Sequence, residues 1–513
     1  MKLRDKPGRK TEQRTEQQTE QQAGQKLGLE MEMVVVRRGS GASHAVQDYP
    51  ASLGRLRSAR GEAITLGNLA GRVVSACGAL AESGLDNGYN LLESALHPVA
   101  GGRGGLDRLG TAVYAELRDV QQALAAEDAA ILNAGEHPAA SLDPDRYAAL
   151  RVPRPIYDDI VGHRGWLHRV GIDAKAQNSP CTSVPVHEAA RALNILMALA
   201  PAFIALFANS PLECGRPTGR KDNRLTMWDR MFRHARFASD LRLHHMPDRP
   251  FEDLGDYFRW MFEGDTHSHA LPLMSAVDYK HDTTATLAGD PSLGQFLRAP
   301  SWPGRRADNG QPVMLTPRAA HFEYAQFSNF LDARWRYRLD SHCTVEELLA
   351  HWRQPGGIEA LYERLGVNGY IEGRAPSAVF PDRQLRREAG DDIASTAPLA
   401  PSAMQLGLLR NLAQAEDLVR EYGWMTLRGL RATAIDAALD EDLARQLAAD
   451  TLAVAQAGLE DDADRRWLAY ARHVLDTRRT GADRLLALWQ DAHGDAKSRL
   501  AAIYPERVLS LAS

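Results

Sequence analysis

Lys26 to Arg38, KLGLEMEMVVVRR, constrains the fold more than any other stretch of the chain. Its β-branched run Val34, Val35 and Val36 favours a strand, and in a strand residues i and i+2 share a face. Glu30 and Glu32 therefore project together, while Leu29, Met31 and Met33 form the apolar side. Two carboxylates so close together are costly unless a cation or a proton separates them. A solvated polar face is the alternative, and the stretch alone does not decide between the two.

The 513 residues allow two to four domains or one large enzyme domain. With 61 basic against 66 acidic residues, bulk charge gives no support to a nucleic-acid or membrane-surface role, and the expected partners are small molecules. The four cysteines, Cys77, Cys181, Cys214 and Cys343, have no CxxC spacing, which argues against a zinc ribbon or a disulfide framework. No apolar run reaches the roughly 18 residues of a spanning helix, and the polar N-terminus lacks the hydrophobic core of a signal peptide. A cytoplasmic protein is expected.

Residues 1–25 contain TEQRTEQQTEQQ and read as a disordered polar tail. A helix is expected near Leu69 to Leu80. Asp86-Asn87-Gly88 then forms a turn, and LLESAL follows as a strand or a helix start, so Asp86 and Glu93 flank one turn. Residues 107–135 read as an amphipathic helix. Ile172, Ala174 and Ala176 alternate with Asp173, Lys175 and Gln177, predicting a second half-buried strand.

Val184 to Phe207 reads as a buried helix interrupted by Pro201, and 251–262 as a further helix. Residues 265–320 look loop-like, Phe322 to Leu339 strand-like, and Thr344 to Leu365 helical, leading into the strand GYIEGR. Pro376, Pro381 and the 390s form a linker. Beyond it, 402–422, 439–457, 463–477 and 481–492 have apolar residues at helical spacing. The expected organisation is a catalytic part over 26–390 with a helical part, 391–513, packed on the same domain.

Five pieces in order, GLEMEMVV, Asp86 with Glu93, LFANSP at 206–211, RLTMW at 224–228 and YIEGR at 370–374, resemble the glutamate-cysteine ligase superfamily of carboxylate-amine ligases. The resemblance runs over roughly residues 27 to 500. It implies an α+β fold: a curved antiparallel sheet like that of glutamine synthetase, forming a funnel with helices outside. It also implies ATP and Mg²⁺ as cofactors, and a reaction in which a substrate carboxylate attacks the γ-phosphate before an amine displaces phosphate from the acyl group. By the same resemblance Glu30, Glu32, Asp86, Glu93 and Glu372 would be metal ligands. Arg374 would face the acyl phosphate, and Arg224 would be a second phosphate-facing arginine unless it is an ordinary solvated loop residue. Lys175, Gln177 and Arg334 would form the substrate-binding set. Joining glutamate to cysteine is the first expectation, a γ-glutamyl ligase with another amine or acid the second, and a non-catalytic nucleotide-binding relative the third.

Three departures bear on the substrate: Lys175 with Gln177, and, near where an acceptor amine would bind, the helix-bearing connection from Arg334 to Tyr370 and the small residues Ala375, Pro376 and Ser377 after Arg374. Many members of the family place His, Gln or Asn where this chain has Lys175 and Gln177, and a protonated lysine cannot ligate a metal. It either aims a fixed charge at phosphate or carboxylate or reaches out to solvent. The pairs His267/His269 and His244/His245 lack companion ligands at zinc spacing and read as surface loop histidines. GRPTGRKD at 215–222 lacks the phosphate-loop pattern, and no G-x-S-x-G occurs.

Overall fold

The computed structural model describes residues 24–172, 175–273, 283–339 and 343–511. The expected disordered tail lies almost wholly outside them, as do Asp173 and Ala174 of the second expected strand. β1, Lys26–Arg37, is the axis of a ten-stranded sheet, with β2 (Thr65–Leu69), β3 (Arg72–Cys77), β4 (Ala81–Leu85), β5 (Leu91–Leu96), β6 (Val99–Ala100), β7 (Ala129–Leu132), β8 (Asn178–Ser183), β9 (Ala333–Tyr337) and β10 (Gly369–Gly373). The order is β9-β10-β8-β1-β5-β4-β3-β2, with β6 and β7 added to β1, and every pairing is antiparallel.

β1 carries two strands along each edge. β8 pairs with Leu27 to Met31 and β7 with Val34 to Arg37 on one side; β5 pairs with Glu30 to Val34 and β6 with Lys26 and Leu27 on the other. Leu29, Met31 and Met33 are at most 1% exposed and face the core. The helix Gly105–Ala125 packs there with Leu106, Leu109, Val113, Leu117, Val120 and Leu124 buried, a stripe of three- and four-residue steps.

The helical C-terminal part packs on the same sheet. Helix Ala400–Arg410 lies against β8, and the Gln405 amide donates to the Pro180 carbonyl (3.0 Å), the Thr182 hydroxyl (3.1 Å) and the Ile371 carbonyl (3.1 Å), tying β8 to β10. That helix crosses Asp442–Gly458 almost backbone to backbone: a Cβ at Gly407 would lie 2.0 Å from the Ala455 carbonyl oxygen, and one at Gly458 equally near that of Gly407.

Several local expectations give way. Leu69 to Leu80 is not a helix but the β2–β3 hairpin, turned by Ala70 (φ 49°) and Gly71 (φ 79°), both in the left-handed region that two-residue hairpins need. The second strand starts at Asn178, so Lys175 and Gln177 precede it. The 107–135 helix ends at Ala125, and Asp128 (φ 51°) turns the chain into β7. Residues 265–320 hold a separate antiparallel sheet, Leu271–Pro272, Thr284–Leu287, Trp302–Arg306 and Pro312–Leu315.

In the aromatic stretch, helix Ala319–Tyr324 precedes β9, and the 344–365 helix is split into Val345–Trp352 and Gly357–Leu365. The 376–390s linker holds two short helices, Arg383–Ala389 and Asp391–Ala394. Val186–Ala198 and Ala200–Phe207 form a pair bent by 47° at Leu199, with Pro201 in the first turn of the second helix, whose residues are all buried. No single helix among the described residues is long and apolar enough to cross a membrane.

Candidate active site

Register decides which side chains share the polar face of the sheet. Glu32 sits opposite Glu93 and Glu30 opposite Ala95, which in turn faces Glu82; on the other edge Glu30 faces Ser179. Continuing outward, Cys181 pairs with Glu372 and Glu372 with Arg334. Residues directly opposite in an antiparallel pair point the same way. Glu30, Glu32, Glu93, Glu372 and Arg334 are thus brought to one face. Asp86 joins them from the turn between β4 and β5, whose Leu85 and Asp86 carbonyls accept hydrogen bonds from the buried Arg154 guanidinium.

The acidic end is electrostatically strained. Burial, then the neighbouring Glu372 and Glu93 carboxylates, pushes Glu30 up to about 7. Burial, then Asp86 and Glu93, holds Glu32 well above the usual carboxylate range. One Glu32 oxygen accepts from the Gln177 backbone N–H at 3.1 Å, whereas no hydrogen bond reaches the Glu30 carboxylate among the described residues. The same acids would be stabilised as carboxylates by a cation among them.

The opposite end is a cluster of arginines. Arg334 Nε donates to one Glu372 oxygen at 2.8 Å and Arg374 Nη1 to the other at 2.7 Å, with Arg336 Nε at 3.7 Å. Burial opposes the Glu372 charge, but Arg334, Arg374 and Arg336 together pull its carboxyl down to about 2. Glu372 is therefore the anchor beneath the arginines, with both oxygens engaged, rather than a carboxylate left open like Glu30. Arg336 and Arg338 also line the cavity and escaped the sequence reading. Their signal was present: in ARWRYRL the arginines recur every second residue, the period of one strand face.

Three predicted residues are locked from behind. Arg224, 1% exposed, donates to Ser377 Oγ (3.0 Å), Gln177 Oε1 (3.0 Å) and the backbone oxygens of Arg374 (3.3 Å) and Ala375 (2.8 Å). It does not line the cavity; it is neither a solvated loop arginine nor a group turned to phosphate, but a clamp joining Gln177 to the segment that carries Arg374. Lys175 neither reaches solvent nor stands free: 4% exposed, it pairs with Glu136 and lies 3.6 Å from Glu213, which Arg230 grips at 2.9 and 2.7 Å. Glu136, a partner 39 residues away that no local pattern signals, is raised to about 7 by burial against the lowering effect of Lys175.

A cavity of about 580 Å³ opens on this face. Glu30, Glu32, Glu82, Asp86 and Glu93 line it from β1, β4, β5 and the β4–β5 turn; Arg334, Arg336, Arg338 and Arg374 line it from β9, β10 and the residues just beyond them, across β8; and the buried Lys175 and Gln177 line it just before β8. An apolar wall of Trp166, Met227, Trp228, Met231, Phe327 and Phe330 closes the side, with the Trp228 and Phe330 rings 4.3 Å apart. An oxygen-only donor set of Glu30, Glu32, Glu93 and Asp86 suits a hard divalent cation such as Mg²⁺. In the described rotamers these oxygens do not converge on one point: the only three ligand groups mutually within 4.8 Å among the described residues lie elsewhere. The donors fit in type and placement, and closing a shell requires their side chains to rotate.

Residues 26–263 match the family model of glutamate-cysteine ligase family 2 (GCS2), so the resemblance carried by GLEMEMVV, Asp86, Glu93, LFANSP and RLTMW holds over that span. Among solved structures, a glutamate–cysteine ligase from Francisella tularensis in complex with AMP is similar at a TM-score of 0.48 and 14% identity, covering 94% of this chain and 87% of that one. A bifunctional glutathione synthetase from Pasteurella multocida is similar at a TM-score of 0.44 and 12% identity, covering 96% of this chain and 52% of its own length. No curated protein matches the sequence.

Proposed function

We infer that this chain, a carboxylate-amine ligase by the family pattern of residues 26–263, uses ATP to join the side-chain carboxylate of glutamate to the amine of cysteine. The observation that carries this reading is the polarised cavity, with carboxylates of β1 and β5 on one side of β8 and arginines of β9 and β10 on the other. Phosphoryl transfer to a carboxylate brings two anions together and needs fixed positive charge where they meet.

In the proposed reaction a glutamate carboxylate oxygen attacks the γ-phosphorus and ADP leaves. The amine nitrogen then attacks the acyl carbon, the C–O bond to phosphate breaks, and the amine gives up a proton. Glu30, Glu32, Glu93 and Asp86 would hold Mg²⁺, which supplies charge neutralisation at the phosphates. Arg374, with Arg334 and Arg336, would orient the substrate carboxylate, and their position is fixed by Glu372 underneath. Gln177, locked by Arg224, would present its amide N–H groups to the cavity. The Trp228–Phe330 wall offers an apolar surface to the nucleotide base.

The test is phosphate release from ATP and Mg²⁺ with glutamate and each candidate amine. Release that depends on cysteine supports the reading. Release only with another amine reassigns the acceptor, and no ATP binding by calorimetry overturns the catalytic reading.

A further inference from the structure

Of the two adjacent histidines that the sequence suggests lie on the surface, His245 does and His244 is buried. They end the short 3₁₀ segment Ala238–His244 and meet Asp229, which projects from the helix Met227–Phe232. Asp229 Oδ1 lies 3.3 Å from His244 Nε2 and 3.2 Å from His245 Nε2. The two rings are 3.9 Å apart, inclined at 51°. Among the described residues this is the only group of three metal-ligating side chains whose donor atoms all lie within 4.8 Å of one another.

The spacing fits a bound metal as well as the hydrogen bond between His245 Nε2 and Asp229 Oδ1 at 3.2 Å. Zn²⁺ binds imidazole nitrogen and carboxylate oxygen at about 2.0–2.1 Å, so the edge of its tetrahedron is about 3.3–3.4 Å. The two distances from Asp229 match that edge. His244 supplies an independent observation: it is 1% exposed, and neither ring nitrogen has an aligned hydrogen-bond partner. A buried imidazole without partners is costly, and a metal would satisfy the nitrogen that faces Asp229. Arg431, whose charge reaches His244, is bound to both Asp332 oxygens, at 2.5 and 2.9 Å. The outer side is open, with the Asp229 and His245 side chains about half exposed, which leaves an entry path and a fourth position for water.

We propose that Asp229, His244 and His245 bind a borderline divalent transition-metal ion of the Zn²⁺ class, at a site separate from the carboxylates of β1 and β5. Such an ion would fasten the helix bearing Trp228, part of the cavity wall, to the 3₁₀ segment that follows it. The proposal does not depend on which amine the cavity accepts.

The experiment titrates the tag-free, chelator-stripped full chain with Co²⁺ alone and reads the visible bands of tetrahedral Co²⁺, followed by displacement with Zn²⁺. One equivalent of tetrahedral Co²⁺ is expected, lost on adding Zn²⁺. His245→Gln and Asp229→Asn, both at half-exposed positions, should each weaken Co²⁺ binding at least tenfold with the far-UV circular dichroism unchanged. Glu30→Gln should leave the tetrahedral bands intact. Absence of tetrahedral bands in the parent chain, or bands unaffected by His245→Gln, would overturn the proposal, as would their loss in Glu30→Gln.

Discussion

Single residues on the polar face separate into those that touch the cavity and those that hold others in place. Glu32 is of the first kind, with a carboxylate crowded by Asp86 and Glu93. Glu32→Gln keeps its volume and removes the charge, so turnover should fall by more than about 100-fold while the thermal unfolding profile stays that of the parent; unchanged activity would sink its assignment as a ligand. Arg336→Met should raise the KM for the acid substrate by about tenfold, the loss of one charge-assisted contact, with a smaller change in kcat. His168 tests the electrostatics of the cavity wall by a different route. Burial, with Arg151 nearby, lowers its imidazole from 6.5 to about 3, and its Nδ1 lies 3.0 Å from the Tyr147 hydroxyl. The unfolded chain therefore takes up this proton first. Stability is fully present above about pH 6.5 and is lost as pH falls toward 3, by about 2 kcal/mol at pH 5. Urea unfolding at pH 7 and pH 5 should show His168→Gln losing less stability over that interval than the parent chain.

Elements were legible in the sequence where one periodicity ran unbroken. β1 and β10 declare themselves by alternation, and helix 105–125 by its apolar stripe. The β2–β3 hairpin was hidden because its turn is Ala70-Gly71 rather than Asn-Gly, and the strand Trp302–Arg306 because Pro and Gly interrupt it. At the site, the acids of β1 were readable from their spacing, whereas the Lys175–Glu136 pair and the Arg224 clamp depend on contacts made across 39 or more residues and leave no local pattern. The same is true of the crossing at Gly407 and Gly458, where two helices meet through their backbones. Because the obstacle to a side chain at 407 is the Ala455 carbonyl and not a movable rotamer, Gly407→Ala should force the helices apart and destabilise the chain by about 3 kcal/mol. Chemical denaturation would register this as a lower midpoint; an unchanged midpoint would mean that the crossing is looser than described.

At the scale of the whole molecule, the question is whether the helical C-terminal part folds separately from the sheet that carries the site. The contacts between them argue that it does not. Gln405 reaches β8 and β10 together, and the end of the chain returns to the sheet, where the Leu509 N–H donates to the Ile131 carbonyl at 2.9 Å and Val508 bridges Leu132 of β7. Arg507, fully buried, lies 3.0 Å from Asp382 and donates to the Asn133 carbonyl and to Asn209 Oδ1 (2.7 Å). Asn209 lies in the ANSP stretch within residues 26–263, so the last helix is bonded to the span that matches the family model. A guanidinium in this setting is costly to leave unpaired, and breaking a buried pair from one side costs about 3–5 kcal/mol. We therefore propose that the described residues from Lys26 onward unfold as one cooperative unit. Calorimetry should give a single transition whose calorimetric and van't Hoff enthalpies agree, and Asp382→Asn should move the whole transition down without splitting it. Two resolved transitions, with only one of them shifted by Asp382→Asn, would instead make the helical part a separate domain and remove Gln405 and Arg507 as supports of the site.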